Sequence, residues 1–212
     1  MIENKKYILF DNDGVLVETE PLYFEANVKA LKELGITLTF DRYMKIMARG
    51  GTAWEVALEA GISKDVIDNK RFQRDIYYQE LIQSRNIVIP NVKEILKELS
   101  KNYKMAIITT SRREDFELIH KNRGIVDFME FVLCVEDYPR AKPFADPYLA
   151  GLAKFNASED ETIVIEDSQR GLTSAVKAKI DCIIVKNEFT LSHDFTDASY
   201  RIDKLEELTN LL

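Results

Sequence analysis

The chain has 212 residues, with 29 Lys and Arg against 36 Asp and Glu and a formal net charge of −7. Its 46% hydrophobic and 31% charged residues are typical of a globular protein and exclude an intrinsically disordered one. The acidic balance, without a stripe of Lys and Arg, argues against a nucleic-acid partner. No apolar segment approaches the ~20 residues of a membrane span, and the N-terminal apolar run is too short for a signal peptide. We therefore expect a cytoplasmic protein without a membrane partner.

Short apolar runs alternate with longer helical patterns along most of the chain. The runs, rich in β-branched and aromatic residues, are Tyr7–Phe10, Met105–Thr109, Phe131–Val135, Thr162–Ile165 and Cys182–Val185. They are nearly continuous in hydrophobicity, which predicts parallel strands covered on both faces. Helical patterns follow most of them, at Arg113–Asn122, Pro147–Phe155, Gln169–Ala178 and Lys204–Leu211. This order predicts an α/β fold, a doubly wound parallel sheet of the Rossmann-like type.

One segment interrupts the alternation, because roughly ninety residues between the first two strands contain only helical patterns. The predicted helices are Pro21–Leu34, Asp41–Met47, Ala53–Ala60, Lys64–Arg85 and Val92–Leu99. The last of them returns the chain to the sheet. The sequence thus predicts an α/β core made of residues 1–16 and 85–212, and an all-helical cap domain of residues 17–84 inserted after the first strand.

Chemically functional residues follow the predicted strands at the points where the strands end. These segments are Asp11-Asn12-Asp13-Gly14, Thr109-Thr110-Ser111, Lys142-Pro143 and Glu166-Asp167-Ser168. Ligands of open α/β sheets bind outside the carboxyl ends of the strands. We therefore expect the four segments to converge on one site.

Four carboxylates in this set predict a metal ion. Asp11 and Asp13, two positions apart, project toward the same side of the chain as it leaves the strand. With Glu166 and Asp167 beside them, the negative charges repel one another unless a cation lies between them. Hard oxygen ligands on a prearranged site favour Mg²⁺.

The same segments suit phosphoryl transfer. An aspartate can attack phosphorus and form an acyl phosphate, and a second acid must then protonate the leaving oxygen and activate water. Gly14 permits the tight turn that swings Asp13 toward the leaving group. Lys142 offers a compact positive charge to the phosphoryl oxygens, and the hydroxyl of Thr109 and the backbone N–H of Thr110 offer further donors.

The four segments resemble the four motifs of the haloacid dehalogenase superfamily. The motifs are DNDGVLVETE, the apolar run that ends in Thr109, AKPFADPY and VIEDSQRGL, in this order and each after a predicted strand. The helical insertion resembles the C1 type of cap of the phosphoglycolate phosphatase and β-phosphoglucomutase group. Glu18 stands where the superfamily more often has aspartate, and we expect a modest effect on local hydrogen bonding.

The resemblance, which covers essentially the whole chain, implies a role for each motif residue. It makes Asp11 the nucleophile and Asp13 the general acid/base, with Thr109 and Lys142 binding the transferring phosphoryl group. The Mg²⁺ ligands that it implies are Asp11, the backbone carbonyl of Asp13, Asp167 and, directly or through water, Glu166.

We therefore predict a Mg-dependent phosphatase that acts on a small phosphorylated metabolite through an aspartyl-phosphate intermediate. A cap of this type closes over the site and excludes water, which favours metabolites over phosphoproteins. In the cap, Arg49 beside Gly50-Gly51 is a candidate substrate contact, whereas Trp54 suits either a cavity wall or the core. The sequence shows no apolar dimerisation helix, so a monomer is the default.

Three other functions compete with this prediction. A phosphomutase of the β-phosphoglucomutase type has a histidine twelve residues after the nucleophile and an arginine after the cap-loop glycine, where this chain has Tyr23 and Trp54. A phosphonatase needs a desolvated cap lysine, and the sequence marks neither Lys45 nor Lys64 as such. A catalytically silent binding protein on the same fold is the third, because fold alone does not establish function.

Overall fold

A single parallel sheet forms the centre of the structure, a computed structural model that describes residue 2 and residues 4–212. Within this part of the chain the sheet has six strands in the order β3-β2-β1-β4-β5-β6, and every neighbouring pair is parallel. The strands are β1 (Tyr7–Phe10), β2 (Lys104–Ile108), β3 (Phe131–Leu133), β4 (Thr162–Glu166), β5 (Asp181–Val185) and β6 (Tyr200–Ile202). The predicted doubly wound fold is confirmed, because helices cover both faces of this sheet.

The helices lie where the sequence predicts them, with ends that differ by a few residues. They are α1 (Glu20–Lys32), α2 (Phe40–Ala48), α3 (Glu55–Glu59), α4 (Lys64–Ser84), α5 (Val92–Leu99), α6 (Arg113–His120), α7 (Asp146–Phe155), α8 (Gln169–Lys177) and α9 (Leu208–Leu211). The predicted helix at Lys204–Leu211 is divided into a 3₁₀ turn, Leu205–Glu207, and the short α9. In the described residues, no helix combines the length and apolar character that a bilayer crossing requires.

Strand β6 is the element that the sequence does not predict. It has only three residues, of which Tyr200 and Arg201 are exposed, and it lies at the edge of the sheet. Its sequence contains no apolar run that would predict a strand. The strand is recognised from its backbone pairing with β5.

The central strand β1 anchors the sheet from both sides. Ile8 and Phe10 pack with α5, α6 and α9, whereas Leu9 packs with α7 and α8 on the opposite face. All three side chains are fully buried, and each contributes about 1.5–3 kcal/mol by burial alone. This alternating packing fixes the direction in which β1 ends, and therefore the position of Asp11 at the carboxyl edge.

The helices between β1 and α5 have a hydrophobic cluster of their own. Its members come from α1, α2, α3 and α4 and include Leu31, Tyr43 and Trp54. Two linkers join this insertion to the sheet, and they pair with each other where Glu18 N–H donates to the Ile87 carbonyl at 3.0 Å. The separate cluster agrees with a cap domain, although the boundaries at residues 17 and 84 remain a prediction.

Candidate active site

The four predicted segments meet at the carboxyl edge of the sheet. Asp11 directly follows β1, and its backbone N–H donates to Ile165 O of the neighbouring β4 at 2.8 Å. Thr109 follows β2, Asp167 follows β4, and Lys142 lies in the loop after β3. All four of these polar side chains are buried. The three that carry a charge need an opposite charge or a bound ion beside them, because an uncompensated buried charge is costly.

A glycine turn brings the first aspartates and Asp167 together. Gly14 has a φ of +80°, and its N–H donates to Val17 O at 2.7 Å. A Cβ added at Gly14 would lie 2.0 Å from Oδ2 of Asp167. Only glycine fits this turn, because it needs both the left-handed conformation and the space of the missing side chain.

The carboxylate of Asp13 is held by hydroxyl groups. The Thr19 hydroxyl donates to Oδ1, while Oδ2 accepts from Ser111 Oγ at 2.8 Å and from Thr109 Oγ1 at 3.3 Å. The Thr109 hydroxyl also accepts from Ser111 N–H at 3.0 Å. Thr109 therefore lies beside Asp13, the predicted acid/base. The orientation of the Asp13 carboxylate is fixed by Thr19, which follows β1, and by Thr109 and Ser111, which follow β2.

Lys142 links two of the acids and is itself almost fully buried. Its Nζ donates to Asp11 Oδ1 at 2.7 Å, to Glu166 Oε1 at 2.7 Å and to the Ile108 carbonyl at 2.9 Å. Burial alone would lower the pKa of Lys142, but the charges of the two carboxylates outweigh it and raise the pKa above its ordinary value. The ammonium is therefore permanently charged, with all three of its protons donated.

Glu166 is the most strongly hydrogen-bonded acid of the site. Besides Lys142, Oε1 accepts from Tyr148 Oη at 2.7 Å, and Oε2 accepts from Ser168 Oγ at 3.0 Å and from Asp167 N–H at 3.1 Å. Burial favours the neutral acid, but the Lys142 charge and these donors lower the pKa of Glu166. Glu166 is thus a fixed anion that positions Lys142.

The negative charges of Asp167 and Asp11, by contrast, are only partly balanced by nearby positive charge and hydrogen bonds. Burial and the nearby charges of Glu166 and Asp11 raise the pKa of Asp167 well above its usual range. Among the described residues, its Oδ2 accepts only a neutral amide proton, from Asn187 Nδ2 at 3.1 Å. Burial, followed by the Glu166 charge, raises the pKa of Asp11 to about 7 even though Lys142 opposes the shift. Positive charge is needed beside these two carboxylates.

These acids have the geometry of a metal site. Asp11, Glu166 and Asp167 each offer one carboxylate oxygen, and the three oxygens lie within 4.8 Å of one another. All three residues are buried. An all-oxygen set with two under-compensated carboxylates fits a hard divalent cation, and it offers none of the sulfur or imidazole ligands that other metals prefer.

A cavity of about 410 Å³ opens between this edge and the helical insertion. Asp13, Ser111 and Lys142 lie at its floor, while Trp54 and Tyr23 of the insertion line it from the other side. Trp54 therefore belongs both to a hydrophobic cluster and to the cavity wall, and its indole N–H has no hydrogen-bond partner among the described residues.

The structure places Arg49 outside this cavity. Its guanidinium is exposed and pairs with Glu55, whereas the neighbouring Gly50 and Gly51 do line the cavity. A Cβ at Gly50 would lie 2.3 Å from Cδ of Pro143, so this loop approaches the segment that carries Lys142. Contact between Arg49 and a substrate stays a prediction. Thr110, the other predicted phosphate contact, lines the cavity.

Several functional residues escape the sequence reasoning. Asn187 holds Asp167 and also donates to Gly14 O at 3.3 Å, and Tyr148 donates to Glu166. His120 is buried, and its Nε2 lies 2.7 Å from Oδ1 of Asn12, the residue between the two aspartates. Asn12 itself is fully buried and needs a hydrogen-bond partner, but its sequence position between Asp11 and Asp13 gives no sign of that burial.

Comparisons with known proteins agree with this geometry. Residues 8–185 match the family described as haloacid dehalogenase-like hydrolase. A Thermotoga maritima protein named phosphorylated carbohydrates phosphatase is 29% identical over 223 residues, covering 97% of each chain. A Nitrosococcus oceani protein named phosphoglycolate phosphatase is 24% identical, covering 100% of this chain and 98% of the relative. The crystal structure of CbbY from Rhodobacter sphaeroides in complex with phosphate shares the fold, with a TM-score of 0.81, 23% identity and coverage of 98% and 96%.

Proposed function

This chain belongs to the haloacid dehalogenase-like hydrolase family, and we propose that it is a Mg²⁺-dependent phosphatase of a small phosphorylated metabolite. The observation that carries the proposal is the floor of the cavity, where Asp13 and Lys142 lie beside the buried Asp11. The relatives named for phosphorylated carbohydrates and phosphoglycolate support this substrate class.

Asp11 is the proposed nucleophile. One carboxylate oxygen attacks phosphorus, the bond from phosphorus to the ester oxygen breaks, and an acyl phosphate forms on Asp11. Lys142 supports this step because it holds Asp11 Oδ1 at 2.7 Å and supplies positive charge next to the transferring group. Glu166 fixes the position of that lysine.

Asp13 is the proposed general acid/base. Its proton passes to the leaving oxygen as the ester bond breaks, and its carboxylate then takes a proton from the water that attacks the acyl phosphate. Inorganic phosphate leaves and Asp11 is regenerated. The hydroxyls of Thr19 and Ser111 support this role, because they hold the Asp13 carboxylate in one orientation.

Mg²⁺ would be held by Asp11, Asp167 and the backbone carbonyl of Asp13, with Glu166 in direct or water-mediated contact. When bound, the ion neutralises negative charge and orients the phosphate. Glu166 already has donors on both oxygens, which favours a contact through water. Replacing Asp167 with Ala should weaken Mg²⁺ binding and lower the rate together, and an unchanged metal titration would remove Asp167 from the site.

The competing functions lose support in this structure. The contacts that join Asp13 to Thr109 and Lys142 to Asp11, with Asp167 close by, support catalysis over a silent binding protein. The positions of the mutase histidine and arginine hold Tyr23 and Trp54, and both line the cavity without offering the charge that a mutase uses. Hydrolysis is therefore the activity that these residues support best.

The direct test is hydrolysis of an aryl phosphate and of a panel of sugar phosphates by the purified protein. Wild type is assayed with Mg²⁺ and with chelator, beside Asp11→Asn as the variant of equal size. We expect phosphate release that requires both the metal and Asp11. Substantial release by Asp11→Asn would rule out the covalent route, and no release from any phosphate ester would reject the phosphatase proposal.

A further inference from the structure

The segment that follows β5 holds Asp167, a predicted metal ligand, at two points. Asn187 donates from Nδ2 to Asp167 Oδ2 at 3.1 Å, and Thr190 donates from Oγ1 to the Asp167 carbonyl at 2.7 Å. A 3₁₀ turn, Glu188–Thr190, connects the two donors, and the Thr190 N–H donates to the Asn187 carbonyl at 3.1 Å. Both donor side chains are buried. The position of this turn therefore helps to set the position of Asp167.

Phe189, in the middle of the same turn, packs against the helical insertion. Its ring meets the rings of Phe40, Tyr43 and Phe24 edge to face, with centroid distances of 5.1, 6.2 and 6.3 Å. These three aromatic residues belong to α1 and α2. Edge-to-face pairs at such distances are favourable beyond the apolar area that they bury. Phe189 is therefore a side chain of the core that joins the hydrophobic cluster of the insertion.

The backbone of Phe189 connects this aromatic contact to Asp167. The Phe189 N–H donates to Asn187 Oδ1 at 2.8 Å, while Nδ2 of the same amide donates to Asp167. An amide whose oxygen accepts on one side and whose nitrogen donates on the other has a single favourable orientation. A continuous chain of contacts thus runs from α2 through Phe189 and Asn187 to the carboxylate of Asp167.

Other contacts between the insertion and the core are polar and lie on the side of α4. Gln79 donates to Asp115 Oδ1 at 2.9 Å, and Asp75 Oδ2 lies 3.1 Å from Nη1 of Arg112. Within the described part of the chain, neither pair hydrogen-bonds to a predicted metal ligand. The aromatic contact of Phe189 differs from them because its own segment reaches the metal site.

We infer that Phe189 is a positioning residue, which couples docking of the helical insertion to metal binding at Asp167. The inference rests on the proposed function, because it concerns the Mg²⁺ site of that function. Packing against Phe40 fixes the turn, and the turn holds the Asn187 amide that orients Asp167. When the rings part, the turn has room to shift, because a groove of about 900 Å³ borders Phe40, Asn187 and Phe189. By reciprocity, an ion on Asp167 stabilises the docked insertion.

The test is a calorimetric Mg²⁺ titration without substrate, which measures metal affinity and not turnover. Phe40→Ala removes the aromatic contact from the side of the insertion, at a residue that is 41% exposed. Phe189→Ala removes the same contact from the core side and serves as the second variant if Phe40→Ala unfolds, whereas Phe189→Leu keeps an apolar side chain. Phe72→Ala is the matched control, because Phe72 is 68% exposed on α4 of the same insertion. Thermal unfolding checks that each variant is folded.

A double-mutant cycle separates coupling from a general loss of structure. Phe40→Ala is measured alone and in the Asn187→Ala background. If Asn187 transmits the effect, Phe40→Ala weakens Mg²⁺ binding only while Asn187 is present. A Phe40 that merely supports the fold would cause the same loss in both backgrounds.

We expect Phe40→Ala and Phe189→Ala to weaken Mg²⁺ affinity by about two- to tenfold, the range of an edge-to-face aromatic contact. Phe189→Leu should lose less, and Phe72→Ala should retain the wild-type affinity. Wild-type affinity in folded Phe40→Ala and Phe189→Ala, an equal loss with and without Asn187, or a wild type that binds no Mg²⁺ would overturn the inference. Failure of the phosphatase proposal is separate, because it is read from hydrolysis of phosphate esters by the wild type.

Discussion

Asn187 is predicted to control the affinity of the site for Mg²⁺. Its Oδ1 accepts from Phe189 N–H at 2.8 Å, which fixes the orientation of the amide, so that Nδ2 donates to Asp167 Oδ2 at 3.1 Å. The same Nδ2 reaches Gly14 O at 3.3 Å, directly after Asp13. Replacing Asn187 with Ala removes both bonds without adding charge or bulk.

The expected loss of Mg²⁺ affinity follows from the shorter of the two hydrogen bonds, the one from Asn187 to Asp167. A hydrogen bond to a charged group is worth about 1.5–3 kcal/mol, which corresponds to roughly 10- to 150-fold in affinity. The long contact to Gly14 O adds little. Residues that orient metal ligands typically change metal affinity by about 10- to 100-fold, in agreement with this range. We therefore expect Asn187→Ala to weaken Mg²⁺ binding by about tenfold or more.

The assay is a calorimetric Mg²⁺ titration of wild type and variant in the absence of substrate. Asn69→Ala on the exposed side of α4 is the control for an asparagine that holds no ligand. Thermal unfolding with and without Mg²⁺ checks that the variant is folded. It also checks that Mg²⁺ raises the Tm of the variant by less than it raises the Tm of the wild type. A folded Asn187→Ala protein with wild-type Mg²⁺ affinity would refute the assignment of Asn187 as a positioning residue.

Two further outcomes are expected. Asp13→Asn should lower kcat for an alkyl phosphate by about 10²–10⁴-fold and for an aryl phosphate by less, because a phenol leaves with little need for an acid; equal losses would contradict its role as general acid. Burial lowers the pKa of His120 to about 4, below the ~6.5 of an unfolded chain, so the stability present above pH 6.5 is lost as pH falls toward 4, about 2 kcal/mol of it by pH 5. His120→Gln should lack this loss in urea unfolding at pH 7 and pH 5, and identical pH dependence of the two proteins would show that His120 titrates normally.

The parts of the fold that the sequence predicts are those with a local pattern. Strands β1, β2, β4 and β5 are covered on both faces and therefore read as continuous apolar runs. The motif residues could be assigned to one site because carboxyl ends of parallel strands share an edge. Strand β6 lacks both features, since its pairing with β5 uses the backbone and leaves two side chains exposed.

The residues that support the site were not predictable in the same way. Asn187 lies 20 positions from the Asp167 that it holds, and Gln79 lies 36 positions from Asp115. Nothing in their neighbouring residues distinguishes them from solvated polar side chains. Their partners are set by the crossing of elements that are distant in the chain, and a single sequence does not contain that geometry.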